Sequence, residues 1–285
     1  MIGKATTEPH RIPDEGLGLL AWFGAGVVFV VLFVAVFAPW LAPYSLDYVD
    51  VTNQLQPPSP AHPLGTDENG ADLLTQVIYG TRVAVLVGFS VVTICSVVGI
   101  FVGAVAGYFG GWIDEFIMRV IDMLMAFPGI LLAILLIFIT QEPSIPAVVG
   151  ALSVTGWTSY ARLVRGEVLS EREEDYVEAS RALGFRAPRV LFREVLPNVM
   201  APVIVQATFG VAAAILAEAS LSFLGLGPQD VPSWGALLDQ GATYFLLTPH
   251  LAIFPGLAIM MTILGLNFLG DGLRDVMDPR ALTRH

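Results

Sequence analysis

Six stretches of this chain carry no charge and are long enough, or nearly so, to cross a bilayer. They are Leu17–Trp40, Val83–Tyr108, Met123–Thr140, Ile145–Ala161, Ala201–Ala217 and Leu251–Gly270. A helix rises 1.5 Å per residue, so about 20 apolar residues cover the ~30 Å of hydrocarbon. With 55% hydrophobic residues and a mean hydropathy of +0.72, the chain has the make-up of a polytopic membrane protein and not of a soluble domain. The expectation is an all-α membrane protein with six transmembrane helices. The first run is too long for the apolar core of a signal peptide and follows a polar tail, so it reads as a retained anchor.

The basic residues orient these spans. With a cytoplasmic N-terminus, the segments 41–82, 141–145 and 225–250 face outward, and 13 of the 14 Lys and Arg lie on the inner side. Arg82 is the exception. The positive-inside rule selects this N-in/C-in arrangement. The outer segments then collect eight acidic residues, which suit a solvated face.

Three regions follow. Residues 1–16 form a cytoplasmic tail. Residues 17–82 hold the N-terminal helix and an outer loop, whose Pro-rich centre (57–63) excludes regular helix. A short surface helix is expected over Asp72–Ile78, capped by Thr66, Asp67 or Asn69. Residues 83–285 form a five-helix core. Gly99, Gly103 and Gly107 lie one helical turn apart, a small-residue row that lets another helix approach closely. Pro128-Gly129 predicts a kink in the third span. No internal repeat of the kind found in many secondary transporters is present.

One segment is not membrane. Arg162–Glu194 holds 14 charged residues in 33. Burying each would cost ~3 kcal/mol, roughly 40 kcal/mol in all, so it lies in water. Two short helices are expected here. The first covers about Glu173–Leu183, with a Glu178–Arg181 pair, one face of Tyr176, Ser180 and Leu183, and small Ala179 and Ala182. Gly184 ends it as a left-handed residue. The second opens at Pro188, presents Leu191, Phe192 and Val195, and stops at Pro197.

Glu178-Ala179, Gly184 and Leu196-Pro197 match the EAA loop pattern, with Ser180 in place of its second Ala. LGTDENGADLLTQVIYGTR, AGYFGGWIDEFIMRVIDMLMAFPG, SYARLVRGEVLS, ILAEASLSFLGLG and FLGDGLRDVMDP extend the likeness from Leu64 onward. Together they resemble the dipeptide/oligopeptide permease subunits (DppC/OppC type) of binding-protein-dependent ABC importers. Ala71 departs from the pattern, which usually carries Arg there.

The resemblance implies a type I ABC importer permease fold and half of a translocation pore. It implies a sister permease, one or two ABC ATPases, an extracytoplasmic substrate-binding protein and a peptide cargo. The EAA loop, Glu178, Ala179, Ser180, Arg181, Ala182, Leu183, Gly184, Leu196 and Pro197 within about 162–197, would take the ATPase stroke. Independently of that likeness, a P-loop needs a lysine, and the only one is Lys4, in the tail with no Gly-rich run before it. The chain is therefore expected to be no enzyme and to bind no cofactor, with Mg-ATP used by its partners. Nucleic acid is not an expected partner. Related permeases carry nickel or other small solutes, which remains a second cargo.

Glu218 interrupts the fifth span, where an ionisable group is a functional candidate by default. Glu218 and Arg82 are expected to meet as gate charges. A proton-coupled secondary transporter using Glu218 is the alternative of a different class. Arg119 and Asp122 are expected to pair locally, and Asp271, Arg274 and Asp275 to form an inner turn. Cys95 reads as packing. The four histidines have no metal-site spacing, although His62 and His250 fall on the same side.

Overall fold

The computed structural model describes residues 18–277; residues 1–17, which include the tail expected at 1–16, and the last eight residues lie outside the described part. Eleven α-helical segments and no named strand occur among the described residues. The first, α1 (Leu19–Leu41), realises the first apolar run.

The second helix is longer than expected. α2 (Leu73–Phe109) has 37 residues, about 55 Å at 1.5 Å each, so it outreaches the hydrocarbon. The separate helix expected at Asp72–Ile78 is its first turns. No proline lies between Leu73 and Phe109, so nothing breaks the hydrogen-bond ladder. The cap is Asp72, and not Thr66, Asp67 or Asn69: its side chain accepts from the Thr75 amide at 2.8 Å.

The expected kink is a full break. α3 (Gly111–Met125) and α4 (Gly129–Thr140) meet at 79° across Ala126–Pro128. Pro128 has no N–H to donate and pushes Phe127 away from helical geometry. α5 (Ile145–Glu171) starts under a Ser144 cap and runs ten residues past Ala161, so the water-exposed segment begins as helix. Two ion pairs to α3 hold that extension. Arg162 binds Asp122, and Arg165 grips Asp114 with two contacts of 2.5 and 2.6 Å. Asp122 thus reaches across to α5, and the local Arg119–Asp122 pair does not form.

α6 (Asp175–Ala182) is followed by α7 (Ala187–Val190), a π-turn (Leu191–Val195) and α8 (Leu196–Asn198). α9 (Met200–Phe223) follows. The following segment, expected to be loop, contains α10 (Trp234–Thr243), opened by a Ser233 cap. α11 (His250–Met277) absorbs the turn expected at Asp271–Asp275, since no Gly-Pro break stops the helix there.

α1, α2, α9 and α11 are long and apolar enough to cross a membrane, and the bent α3–α4 pair brings the number to five if it is counted as one span. α5 has the length, but its middle carries Ser153, Thr155, Thr158, Ser159 and Tyr160. Its glycine-facing side explains its place in the core. A β-carbon on Gly99, Gly103 or Gly107 would come within 2.4–2.9 Å of Tyr160, Ala161 or Arg165. The glycine row is the α2–α5 contact. Cys95 is buried beside it, against Ser153 and Gly156 of α5.

Candidate coupling site

The charged segment between α5 and α9 is a folded bracket at one end of the bundle. Val177 is its plug: the side chain is fully buried, within the same apolar core as Val168, Val190, Leu191 and Val195. Of the three residues the second helix was expected to present, only Phe192 is exposed. Leu191 and Val195 face inward because their i,i+4 spacing puts them on the buried side. Nor does Pro197 stop the chain. The helix widens into the π-turn just ahead of it, a form that accommodates a residue with no amide donor, and continues to Asn198.

The opposite side of α6 faces solvent. Glu178, Ala179, Ala182 and Leu183 are all exposed, Leu183 to 75%. Ser180 is partly buried, so the expected face of Tyr176, Ser180 and Leu183 is shared between solvent and bracket. Gly184 takes φ +80°, the left-handed geometry that favours glycine. Its amide donates to Arg181 O at 2.9 Å, and Phe185 N donates to Ser180 O at 3.2 Å. These two bonds are the Schellman closure of the helix.

Tethers fix the bracket to the ends of α5 and α2. The Tyr176 hydroxyl donates to Glu171 Oε1 at 2.5 Å, at the end of α5. Asn198 Nδ2 donates to Tyr176 Oη at 2.8 Å and to Glu171 Oε1 at 3.0 Å. Burial, then the Glu171 carboxylate, pushes the Tyr176 phenol up to about 12, so it stays a donor at neutral pH. Arg172 donates to the carbonyls of Gly107 and Tyr108, closing the negative end of α2. Arg181 lies over the Tyr108 ring at 5.2 Å and Arg189 over Phe185 at 4.3 Å. The expected Glu178–Arg181 pair is absent among the described ion pairs, because the arginine stacks on α2 instead.

At the other end of the bundle the residues 42–72 fold over α10 and α11. His62 Nδ1 sits 3.0 Å from Asp72 Oδ1, and Tyr44 stacks on the His62 ring at 5.0 Å. Asp67 accepts from the amides of Asn69 and Ala71 and from Gln76. A cavity of about 650 Å³ opens here, lined by Asp47, Asp67, Glu68, Asp230 and Asp239 among others. His62 is spent on Asp72, and no group of three potential metal ligands exists among the described residues.

Glu218 and Arg82 do not meet. Glu218 is buried and accepts from Ser222, one turn along α9, at 2.6 Å. Arg82 points outward, and no described ion pair includes it. The i,i+4 hydroxyl supplies locally what the arginine was expected to supply.

Residues 99–283 match the family model described as binding-protein-dependent transport system inner membrane component, and residues 20–58 match the N-terminal TM domain of oligopeptide transport permease C. The chain belongs to this permease family. It is 42% identical to a dipeptide transport system permease protein, DppC, of Alkalihalophilus pseudofirmus, over 92% of this chain and 86% of that one. It is 40% identical to a glutathione transport system permease protein, GsiD, of Pectobacterium atrosepticum, over 90% and 86%. Among solved structures, an inward-facing MetNI methionine ABC transporter aligns with a TM-score of 0.60 at 20% identity, covering 74% of this chain and 98% of that one. That last likeness is one of fold. The protein is thus an inner-membrane, multi-span transport component.

Sequence reading of this permease missed Glu171, Arg172 and Asn198, the residues that tie the bracket down. Each looks like an ordinary solvated charge or amide, and apart from the Tyr176–Glu171 bond, five residues apart, the partners are 22 to 65 residues away. Only Tyr176 carried a signal, an aromatic residue within a charged run.

Proposed function

We propose that this permease forms half of the translocation path of an ABC importer for small peptides, and that separate ATPases drive it through the bracket 162–197. One observation carries the reading. The face of Glu178, Ala179, Ala182 and Leu183 is open, with two small alanines between an exposed carboxylate and an exposed leucine, while Val177 and Tyr176 anchor the helix from behind. A surface of that kind receives force and does not yield to it. The names of two relatives, a dipeptide and a glutathione permease, support a short peptide as cargo.

In this reading six segments cross the membrane, α5 and the α3–α4 pair included, with both termini and the bracket in the cytoplasm. A sister permease completes the pore. A binding protein delivers peptide at the 42–72 end. Mg-ATP is bound and hydrolysed by the ATPases, and this chain holds no cofactor.

The test is reconstitution. The chain is purified with whatever co-purifies, placed in proteoliposomes and supplied with a labelled dipeptide, binding protein and ATP. Uptake should need ATP and should be lost in Glu178→Lys and in Gly184→Pro, with membrane insertion retained. Uptake that persists without an ATPase, or in both variants, overturns the reading. Cysteine labelling at 178 from the cytoplasmic side only checks the orientation.

A further inference from the structure

The bracket has one point at which α5, α6 and the entry to α9 are joined by side chains alone. That point is the Tyr176 hydroxyl. It donates to Glu171, the last residue of α5, and accepts from Asn198, just ahead of α9. Asn198 closes the triangle by donating to the same Glu171 oxygen. The hydroxyl also lies 3.4 Å from the Glu194 carbonyl of the π-turn. A hydroxyl has one proton and a carboxamide two, and here all three are committed within the triangle.

We infer that Tyr176, Glu171 and Asn198 form a transmission latch, which makes a push on α6 move α5 and α9 as one unit. Without it α6 keeps the Val177 plug and the Arg181 stack on Tyr108 of α2, and a load on its outer face turns the helix about those contacts. Rotation would leave the spans behind. α5 rests on α2 along the glycine row, and α9 packs in the same core, so the latch addresses two helices of that core. These are positioning residues: none lies on the open face that would meet an ATPase.

The inference rests on the proposed coupling role, and the experiment separates the two. Proteoliposomes containing the chain with its co-purifying subunits are assayed for labelled dipeptide taken up per ATP hydrolysed. Tyr176→Phe keeps the ring and its packing and removes only the hydroxyl. The ratio should fall about fivefold, the weight of one ordinary, solvent-accessible hydrogen bond, while the ATPase still co-purifies. Asn198→Asp places a carboxylate against Glu171 and should uncouple likewise. Adding Glu171→Gln to Asn198→Asp restores a donor–acceptor pair with reversed polarity and should recover most of the ratio. A merely structural role would lower subunit recovery and leave the ratio alone. A wild-type ratio in Tyr176→Phe, or no recovery in the double variant, overturns the latch. If the wild-type assembly shows no ATP-dependent uptake, the coupling reading falls and the latch falls with it. If Asn198→Asp fails to insert, Tyr176→Phe decides.

Discussion

Gly103 of α2 lies so close to Ala161 of α5 that an added β-carbon would sit 2.4 Å from the Ala161 carbonyl oxygen. Backbone cannot retreat as a side chain can, so Gly103→Ala forces the helices apart. Overpacking of this kind costs about 1–3 kcal/mol. Gly150, at the other end of α5, has open space around it. Gly150→Ala should be neutral or stabilising by up to ~1 kcal/mol through reduced chain entropy. Thermal unfolding in detergent compares the two; equal midpoints would refute the close-packing account.

Gly184 is constrained by conformation, not by space. Nothing lies within 4 Å of a β-carbon there, yet φ is +80°. Gly184→Ala should therefore cost about 1–2 kcal/mol, the left-handed penalty. Gly184→Asn should cost less, because Asn visits that region readily. Proline fixes φ near −65° and deletes the amide that donates to Arg181, so it should do most harm. Hydrogen exchange over 178–186 should accelerate in the order Asn, Ala, Pro. Ala exchanging as slowly as Gly would count against the Schellman closure.

What the sequence made legible follows one pattern. Apolar runs, the glycine row and Gly184 are local signals, since each depends on a periodicity or on one residue's backbone freedom. α1, α2, α9 and α11 carry four of the six apolar runs, the glycine row meets α5 and Gly184 is left-handed, whereas the third run is bent by 79° and α5 is too polar to count as a span by composition. The failures involve partners distant in sequence. Asp122 has a local candidate in Arg119, three residues away, but binds Arg162, forty residues away. Arg181 has a local candidate in Glu178 but stacks on Tyr108. The reverse error arose at Glu218, where a distant arginine was expected and the near hydroxyl of Ser222 was sufficient. A charged side chain has several acceptable partners, and tertiary packing decides among them. α10 was missed because its ten residues are too few for a periodic signal, although Ser233 marks its start.

Asp72 caps α2 and holds His62, so one carboxylate joins the helix to the 42–72 segment. Asp72→Ala should cost about 1–2 kcal/mol for the cap alone. It also frees the segment, because Tyr44 N donates to Thr75 Oγ1 and the Tyr44 ring stacks on His62. Protease cleavage within 44–66 should rise. Asp72→Asn keeps an acceptor for the Thr75 amide and should be cut more slowly than the alanine variant. Equal cleavage of wild type and Asp72→Ala would show that the segment is held elsewhere.

Glu218 needs an acceptor-bearing side chain more than it needs Arg82. Glu218→Gln retains an oxygen for the Ser222 hydroxyl and should stay within about 1 kcal/mol of wild type. Glu218→Ala strands that hydroxyl in a buried site and opens a void, and should cost about 2–4 kcal/mol. Arg82→Glu, on an exposed site, should fall within ±0.5 kcal/mol. Combined with Glu218→Arg it should give no rescue. Recovery of stability in that double reversal would reinstate the ion pair.

Tyr176 offers a spectroscopic handle on the bracket. Its phenol is pushed up to about 12, whereas an unfolded chain titrates near 10. The neutral phenol is the form that the fold prefers, so its contribution is complete below pH ~10 and is lost as pH rises towards about 12. The bracket should therefore keep constant amide protection from pH 6 to 9 and loosen only in strong alkali. Subtracting the ultraviolet titration of Tyr176→Phe from that of wild type isolates this one of seven tyrosines. The difference should have its midpoint near 12. Glu171→Gln removes the second cause of the shift after burial and should bring the midpoint down towards 10. A difference curve already centred at 10 in wild type would mean that the hydroxyl is in water and the Glu171–Tyr176–Asn198 triangle is open.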